Sequence, residues 1–415
     1  MLIRPFRAVR PQAELIPEVA ALPYDVYSRE EAAKVVEGKP LSFLNIDRPE
    51  TQFAPDADMY APEIYAKGRE LLDMQREAGT YVTEAEPCFY LYELIMNGRS
   101  QVGVVACCAV DDYLGGTIKK HEKTLEKKEQ DRIRHIDVLN AQTGPIFLTY
   151  RDNAAVDAIV AEVRATAPLA DFTSEDGVTH RVWIVEGEER VSALAAAFGD
   201  VPAAYIADGH HRAASAVKVG LKRREENPDY TGEEEFNFFL SVLFPATHLG
   251  ILPYNRVVMD LNGHSVEEFL QLIEEKFEIL HVQEPQLEPI EKASVGMYLQ
   301  GKWYGLAARE CAMSDDPVDG LDASILQLHV LDPILGIEDP RTSDRIEFVG
   351  GIRGLGELEK RVNKFDAAGG PAVAFAMYPT AIEELLRVAD AGRLMPPKST
   401  WFEPKLRSGI FIHEI

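Results

Sequence analysis

Ala203-Ala204-Tyr205-Ile206-Ala207-Asp208-Gly209-His210-His211-Arg212 begins as a short apolar strand and ends as the first turn of a helix. Beyond it Ala214, Val217 and Leu221 recur at helical spacing, so the strand runs into an amphipathic helix from about Gly209 to Lys222. A glycine at that junction lets backbone amides approach a ligand closely. The first-turn N–H groups and the helix dipole favour an anion, and Arg212 can add a bidentate clamp. His210 and His211 supply two further donors or two metal ligands. Capping alone would account for Asp208, with the histidines on the helix surface, but four polar groups at one helix start exceed what capping needs.

Strand-like runs and helical periods alternate outward from this point to both ends of the chain. The fold class is therefore α/β, in the mixed α+β sense. Upstream, Phe89-Tyr90-Leu91-Tyr92-Glu93-Leu94-Ile95-Met96 and Val102-Gly103-Val104-Val105-Ala106-Cys107 flank Asn97-Gly98, a pair that takes the positive φ angles of a tight hairpin turn. Ser28 with Glu31 three residues on reads as a capping box. Strands are expected at 146–150 and 182–185, and most of 118–142 as one long charged helix. The turn-rich segment 223–235 is the best boundary, giving one domain over 1–230 and a second α/β domain over 231–415. In the second, strands are expected at 236–244 and 250–258, a helix at 266–277, a hairpin around Gly301-Lys302, and further helices at 323–331 and 381–391.

Composition narrows the function. The chain has 415 residues, 46% hydrophobic and 27% charged, with a net charge of −25. Such an acidic surface repels nucleic acid and anionic membranes, since affinity for either comes mainly from Lys and Arg. Cations that converge on one place against this background mark a site for a small anion. No apolar run reaches membrane-spanning length, and the N-terminus lacks a leader-like apolar stretch, which points to the cytoplasm. The four cysteines, Cys88, Cys107, Cys108 and Cys311, show no zinc or redox spacing and read as reduced core thiols.

Other residues able to carry chemistry fall in three places. His121, Thr124, Lys128, Asp131 and His135 follow one another at steps of three and four, which would line one helix face; a solvated surface helix is the plainer explanation. Leu22-Pro23-Tyr24-Asp25-Val26 is a loop stiffened by its proline, and Met395-Pro396-Pro397-Lys398-Ser399-Thr400 offers one cation and two hydroxyls without a Walker frame. Gly350-Gly351-Ile352-Arg353-Gly354-Leu355-Gly356 lacks dinucleotide spacing and reads as an ordinary turn.

Together Arg4-Pro5-Phe6, Pro23-Tyr24-Asp25-Val26, Ser42-Phe43-Leu44, His121-Glu122-Lys123-Thr124, Asp131-Arg132, Pro145-Ile146-Phe147, the Asp208 to Arg212 box and Met395 to Thr400 make the chain resemble the DUF1015 family of bacterial and archaeal proteins. The box is also similar to the nucleotide-phosphate box of the ParB/sulfiredoxin superfamily, closest to its free-serine kinases. That likeness implies a ParB/sulfiredoxin-like N-terminal domain and a nucleotide-dependent kinase for a small hydroxylated metabolite, free L-serine first among them. ATP or ADP with Mg²⁺ would be the cofactors.

On this reading Gly209, His210, His211 and Arg212 cradle the nucleotide phosphates, with Lys398, Ser399 and Thr400 as further contacts. Asp208 or Glu122 holds Mg²⁺ or takes the hydroxyl proton, and His121 and Asp25 are further catalytic candidates. Arg4, Asp25, Asp131 and Arg132 would bind the substrate. The rival enzyme class is metal-dependent phosphoester hydrolysis through His121, His135, His210 and His211. A non-enzymatic rival is a nucleotide-gated binding protein. Partners are then a small molecule and a nucleotide, not nucleic acid or membrane; self-association as a homo-oligomer stays open.

Overall fold

Asn97 and Gly98 take φ angles of 51° and 79°, the pair of positive values that a two-residue hairpin turn requires. They join Phe89–Met96 to Arg99–Ala109 with Tyr90 opposite Val105 and Leu94 opposite Gln101. This hairpin is the centre of a nine-stranded mixed sheet in the computed structural model, which describes Met1–Ile415. Across the sheet the order is Ile118–Lys119, Ala204–Asp208, Ile146–Tyr150, Phe238–Pro245, Arg99–Ala109, Phe89–Met96, Thr179–Val185 and Ala170–Thr173, with Ile3–Arg4 added beside Arg99–Ala109. Phe238–Pro245 runs parallel to Ile146–Tyr150, and Ala204–Asp208 parallel to Ile118–Lys119; the remaining pairs are antiparallel.

Two compact units result. The first is Met1–Lys120, Thr124–Leu249 and Pro404–Ile415; the second is His121–Lys123 and Gly250–Glu403. The strand Phe238–Pro245, assigned from sequence to a second domain beginning at 231, pairs inside the first unit on both of its edges, and the chain's last twelve residues return there too. The second unit is built on a six-stranded antiparallel sheet ordered Phe277–Gln283, Lys302–Ala308, Ser294–Leu299, Val373–Met377, Tyr254–Val258 and Ile346–Gly350. Its hairpin turns at Gln300-Gly301, one residue earlier than expected, because those two residues carry the positive φ angles.

Local signals survive well. Ser28 accepts from the Glu31 amide while the Glu31 carboxylate accepts from the Ser28 amide, closing the capping box ahead of Arg29–Val36. The long helix expected over 118–142 is shorter, Glu126–Leu139. Ile118–Lys119 is captured as an edge strand by Ala204 and Tyr205, Leu125 is extended, and Asn140 ends the helix in the left-handed region at φ 49°. His121 and Thr124 consequently lie ahead of the helix and not on its stripe. Cys88, Cys107 and Cys108 are buried as expected, whereas Cys311 is exposed, in the single 3-10 turn Glu310–Ala312. No helix is long and apolar enough to cross a membrane.

Candidate functional site

Gly209 caps the 17-residue helix His210–Glu226 with φ 90° and ψ 32°, a conformation that any residue with a Cβ adopts only under strain. Space imposes the same choice. A Cβ at Gly209 would lie 3.0 Å from Arg212 Nε and 3.1 Å from its Cζ. The strand Ala204–Asp208 thus delivers Asp208 to the lip of the helix, and the helix turns Arg212 back beneath it. Arg212 Nη1 donates to Pro145 O at 2.6 Å, and Nη2 lies 3.4 Å from Asp208 Oδ2. Lys405 Nζ, from the chain's C-terminal return, is 3.6 Å from the same oxygen. Arg212 is only 9% exposed, so it is an interior cation.

The charged helix packs beside the box helix. Leu125 N donates to His211 Nε2 at 3.0 Å, Ser215 Oγ donates to Glu129 O at 3.1 Å, and Lys218 pairs with Glu129. Arg212, Arg132, His135, Asp47, Tyr24 and Gly144 then surround an inner cavity of about 30 Å³, room for about one water. Tyr24 and Arg132 form the wall shared with an outer cavity of about 180 Å³, also lined by Asp25, Arg48, Glu50, Tyr65, Lys128 and Asp131. The Arg132 guanidinium stacks 3.9 Å from the Tyr24 ring centroid and is fixed by Asp131 Oδ2 at 2.8 Å. Tyr65 OH donates to the other Asp131 oxygen at 2.8 Å. Burial drives the Tyr24 phenol well above its ordinary pKa; Arg132 and Arg212 pull it down while Asp25 and Asp131 push it up.

His135 Nε2 donates to Ile46 O at 3.1 Å and stands 3.8 Å from Asp47 Oδ1, which accepts from Thr143 Oγ1 at 3.1 Å. Burial first, and the Arg132 charge second, hold the His135 pKa below its usual value. His180, bonded to Tyr92 OH and Ser174 Oγ in the sheet, is lowered by burial to about 3. The unfolded chain protonates both histidines near pH 6.5 and the folded chain only at lower pH, so acid favours unfolding. Their stabilisation is complete above about pH 6.5 and declines as the pH falls below it, for His180 until about pH 3. Thermal unfolding should therefore shift downward between about pH 7.5 and 5, less steeply in His180→Gln; a flat profile would contradict neutral burial.

The structure brings Asp25, Asp131, Arg132, Asp208, Gly209 and Arg212 into one unit, most of them on these two cavities or the helix start. His210 is buried on the first turn of the box helix. Arg4 is not with Asp25. It lines a separate cavity of about 380 Å³ with Glu235 and His413, paired with Glu233 at 3.6 Å and stacked 4.9 Å over Phe238. His121 and Glu122 belong to the second unit, as do Lys398, Ser399 and Thr400. There Met395 N donates to His121 O at 2.8 Å, and buried Ser399 donates to Pro396 O at 2.7 Å. Asp47, Arg48, Glu50 and Lys405 escaped the sequence reading because no spacing links them to the box; only the fold does. No three His, Cys, Asp or Glu side chains stand together as a protein-held metal requires.

Comparison with known proteins gives a family and little else. The model of the family described as protein of unknown function (DUF1015) matches residues 3–324. No curated protein matches the chain. Among solved structures, a free serine kinase in complex with AMP is 14% identical, covering 74% of this chain and 91% of that one with a TM-score of 0.34. SbnI with a C-terminal truncation, from Staphylococcus aureus, is 11% identical over 72% of this chain and 82% of that one, TM-score 0.37. A conserved hypothetical protein from Pyrococcus furiosus is 15% identical over 74% and 94%, TM-score 0.33.

Proposed function

This chain belongs to the DUF1015 family, and from its own site we propose that it is a nucleotide-dependent phosphotransferase for a small hydroxylated metabolite, with free L-serine the first substrate to test. The observation that carries this reading is the helix start at Gly209, where a positive-φ glycine, Asp208 and the buried Arg212 meet. First-turn N–H groups have no acceptor within a helix, and its N-terminal end carries about half a positive charge, a combination suited to phosphate. Phosphoryl transfer asks a protein chiefly for positioning and charge stabilisation.

The proposed site uses residues of the first unit alone. ATP or ADP would place its phosphates on the amides of the box, with Arg212 and Lys405 countering their charge. The outer cavity suits a metabolite of a few heavy atoms, Arg132 and Lys128 offering cations to a carboxylate and Asp25 and Glu50 offering anions to an ammonium. Asp208 fits Mg²⁺ only in part: it is one carboxylate, already within 4 Å of two cations. That suits an ion that arrives on the nucleotide and keeps most of its waters. When bound, Mg²⁺ would neutralise charge on the phosphates. Asp208 would orient that complex or accept the hydroxyl proton.

The hydrolase reading has less support, because His135 donates to a backbone carbonyl and His211 accepts from a backbone amide instead of converging on a metal. The test is phosphorylated product from serine, threonine and homoserine with ATP or ADP, with and without Mg²⁺. Mg²⁺-dependent product is expected. Phosphoester hydrolysis with no acceptor phosphorylated would overturn the reading.

A further inference from the structure

Five arginines of this chain are buried, and four of them have a carboxylate. Arg48 has Glu50, Arg132 has Asp131, Arg212 has Asp208 and Arg407 has Asp176. Arg256, in the second unit, has none. It sits mid-strand in Tyr254–Val258, opposite Phe348 and Phe375 on the neighbouring strands, and is 3% exposed. Its guanidinium donates to Tyr254 O and, at 3.2 Å, to Lys398 O, and lies 5.6 Å over the Phe348 ring. Nε finds no acceptor at all. Burial lowers its pKa to about 10, with Tyr254 alone acting against that.

Removing a guanidinium from water without a counter-charge is costly. Two carbonyls and a ring face offset part of that cost and leave the net charge uncompensated. Over the guanidinium lies the loop 395–400, held by the Ser399 bond to Pro396 O and by Thr380 Oγ1 donating to Ser399 O at 2.8 Å. Within it Lys398 takes φ 57°, unusual for a residue with a long side chain, and sets Nζ 5.5 Å from the Tyr254 ring. The residue whose carbonyl Arg256 holds is therefore itself a lysine, in a chain of net charge −25.

We infer that Arg256 and the Lys398 loop form a binding site for a small phosphate-class oxyanion, either free phosphate or the phosphate of a nucleotide. The anion supplies the counter-charge Arg256 lacks, entering by displacement of the loop segment whose carbonyl now occupies the guanidinium. This site goes beyond the phosphotransferase reading and does not require it.

The test is thermal unfolding of the full chain in chloride buffer at constant ionic strength, titrated with inorganic phosphate, ADP or adenosine. Phosphate or ADP should raise the midpoint in wild type and adenosine should not; a response lost in Arg256→Met for phosphate alone assigns free phosphate to this site, and one lost for ADP alone assigns a nucleotide. Arg256→Met should lose the phosphate response, together with whatever part of the ADP response the Gly209 box does not carry. Arg212→Ala should keep the phosphate response, which separates this site from the box. If Arg256→Met fails to fold, Lys398→Gln on the exposed loop decides, with at least a several-fold weaker response expected. Equal responses in wild type and the altered site, or none in wild type, overturn the inference.

Discussion

Arg212→Ala should weaken ADP binding by about 10- to 100-fold, the loss of a charge-assisted contact of roughly 1.5–3 kcal/mol. The same change should lower folding stability by about 2–4 kcal/mol, because it strands the Pro145 carbonyl and removes the Arg212 charge from beside Asp208. The lower end is favoured, since the Asp208 side chain is 32% exposed and water can re-solvate it. Arg212→Lys retains the charge without the two-pronged geometry, so it should recover part of the stability and little of the affinity. Calorimetric titration beside denaturant unfolding separates the two effects. Undiminished ADP affinity in a folded Arg212→Ala protein would make the arginine a strut for the helix start and nothing more.

Asp208→Asn should reduce phosphoryl transfer by about 100-fold or more while leaving the fold nearly intact. The amide matches the carboxylate in shape and keeps an oxygen for the Arg212 N–H, but it neither takes a proton nor attracts a cation as an anion does. Binding of ADP without metal should be retained or improved, since a negative charge beside the phosphates is removed. Saturating-substrate rates for wild type and Asp208→Asn, compared with ADP affinity measured in chelator, check both halves. Full turnover in the variant would remove Asp208 from the reaction.

What the sequence made legible was local chemistry. Asn97-Gly98 dictates its own turn, Ser28 with Glu31 closes its own cap, and Asp208-Gly209 breaks a strand into a helix within two residues. What it hid depends on chain segments far apart. Arg212 is anchored by Pro145, 67 residues before it, and Asp208 is paired with Lys405 from the C-terminal return. The placement of Phe238–Pro245 in the first unit follows from pairing with strands that begin at 99 and 146. Helical spacing from His121 to His135 was real only from Glu126 onward, because an edge strand claimed Ile118 and Lys119. Arg4 and Asp25 lie near each other in sequence and line different cavities, which no residue pattern announces. Arg256 had no signal, since a lone arginine in an apolar strand reveals its lack of a partner only once the strand is packed.

The central claim is that phosphate binds at the Gly209 helix start, and a crystal structure of the protein grown with ADP and Mg²⁺ tests it most directly. The account predicts a phosphate of ADP within hydrogen-bond distance, about 3 Å, of the first-turn amides of His210–Glu226, with Arg212 beside it. Nucleotide bound elsewhere in the first unit, with the helix start contacted only by Asp208 and water, would contradict it.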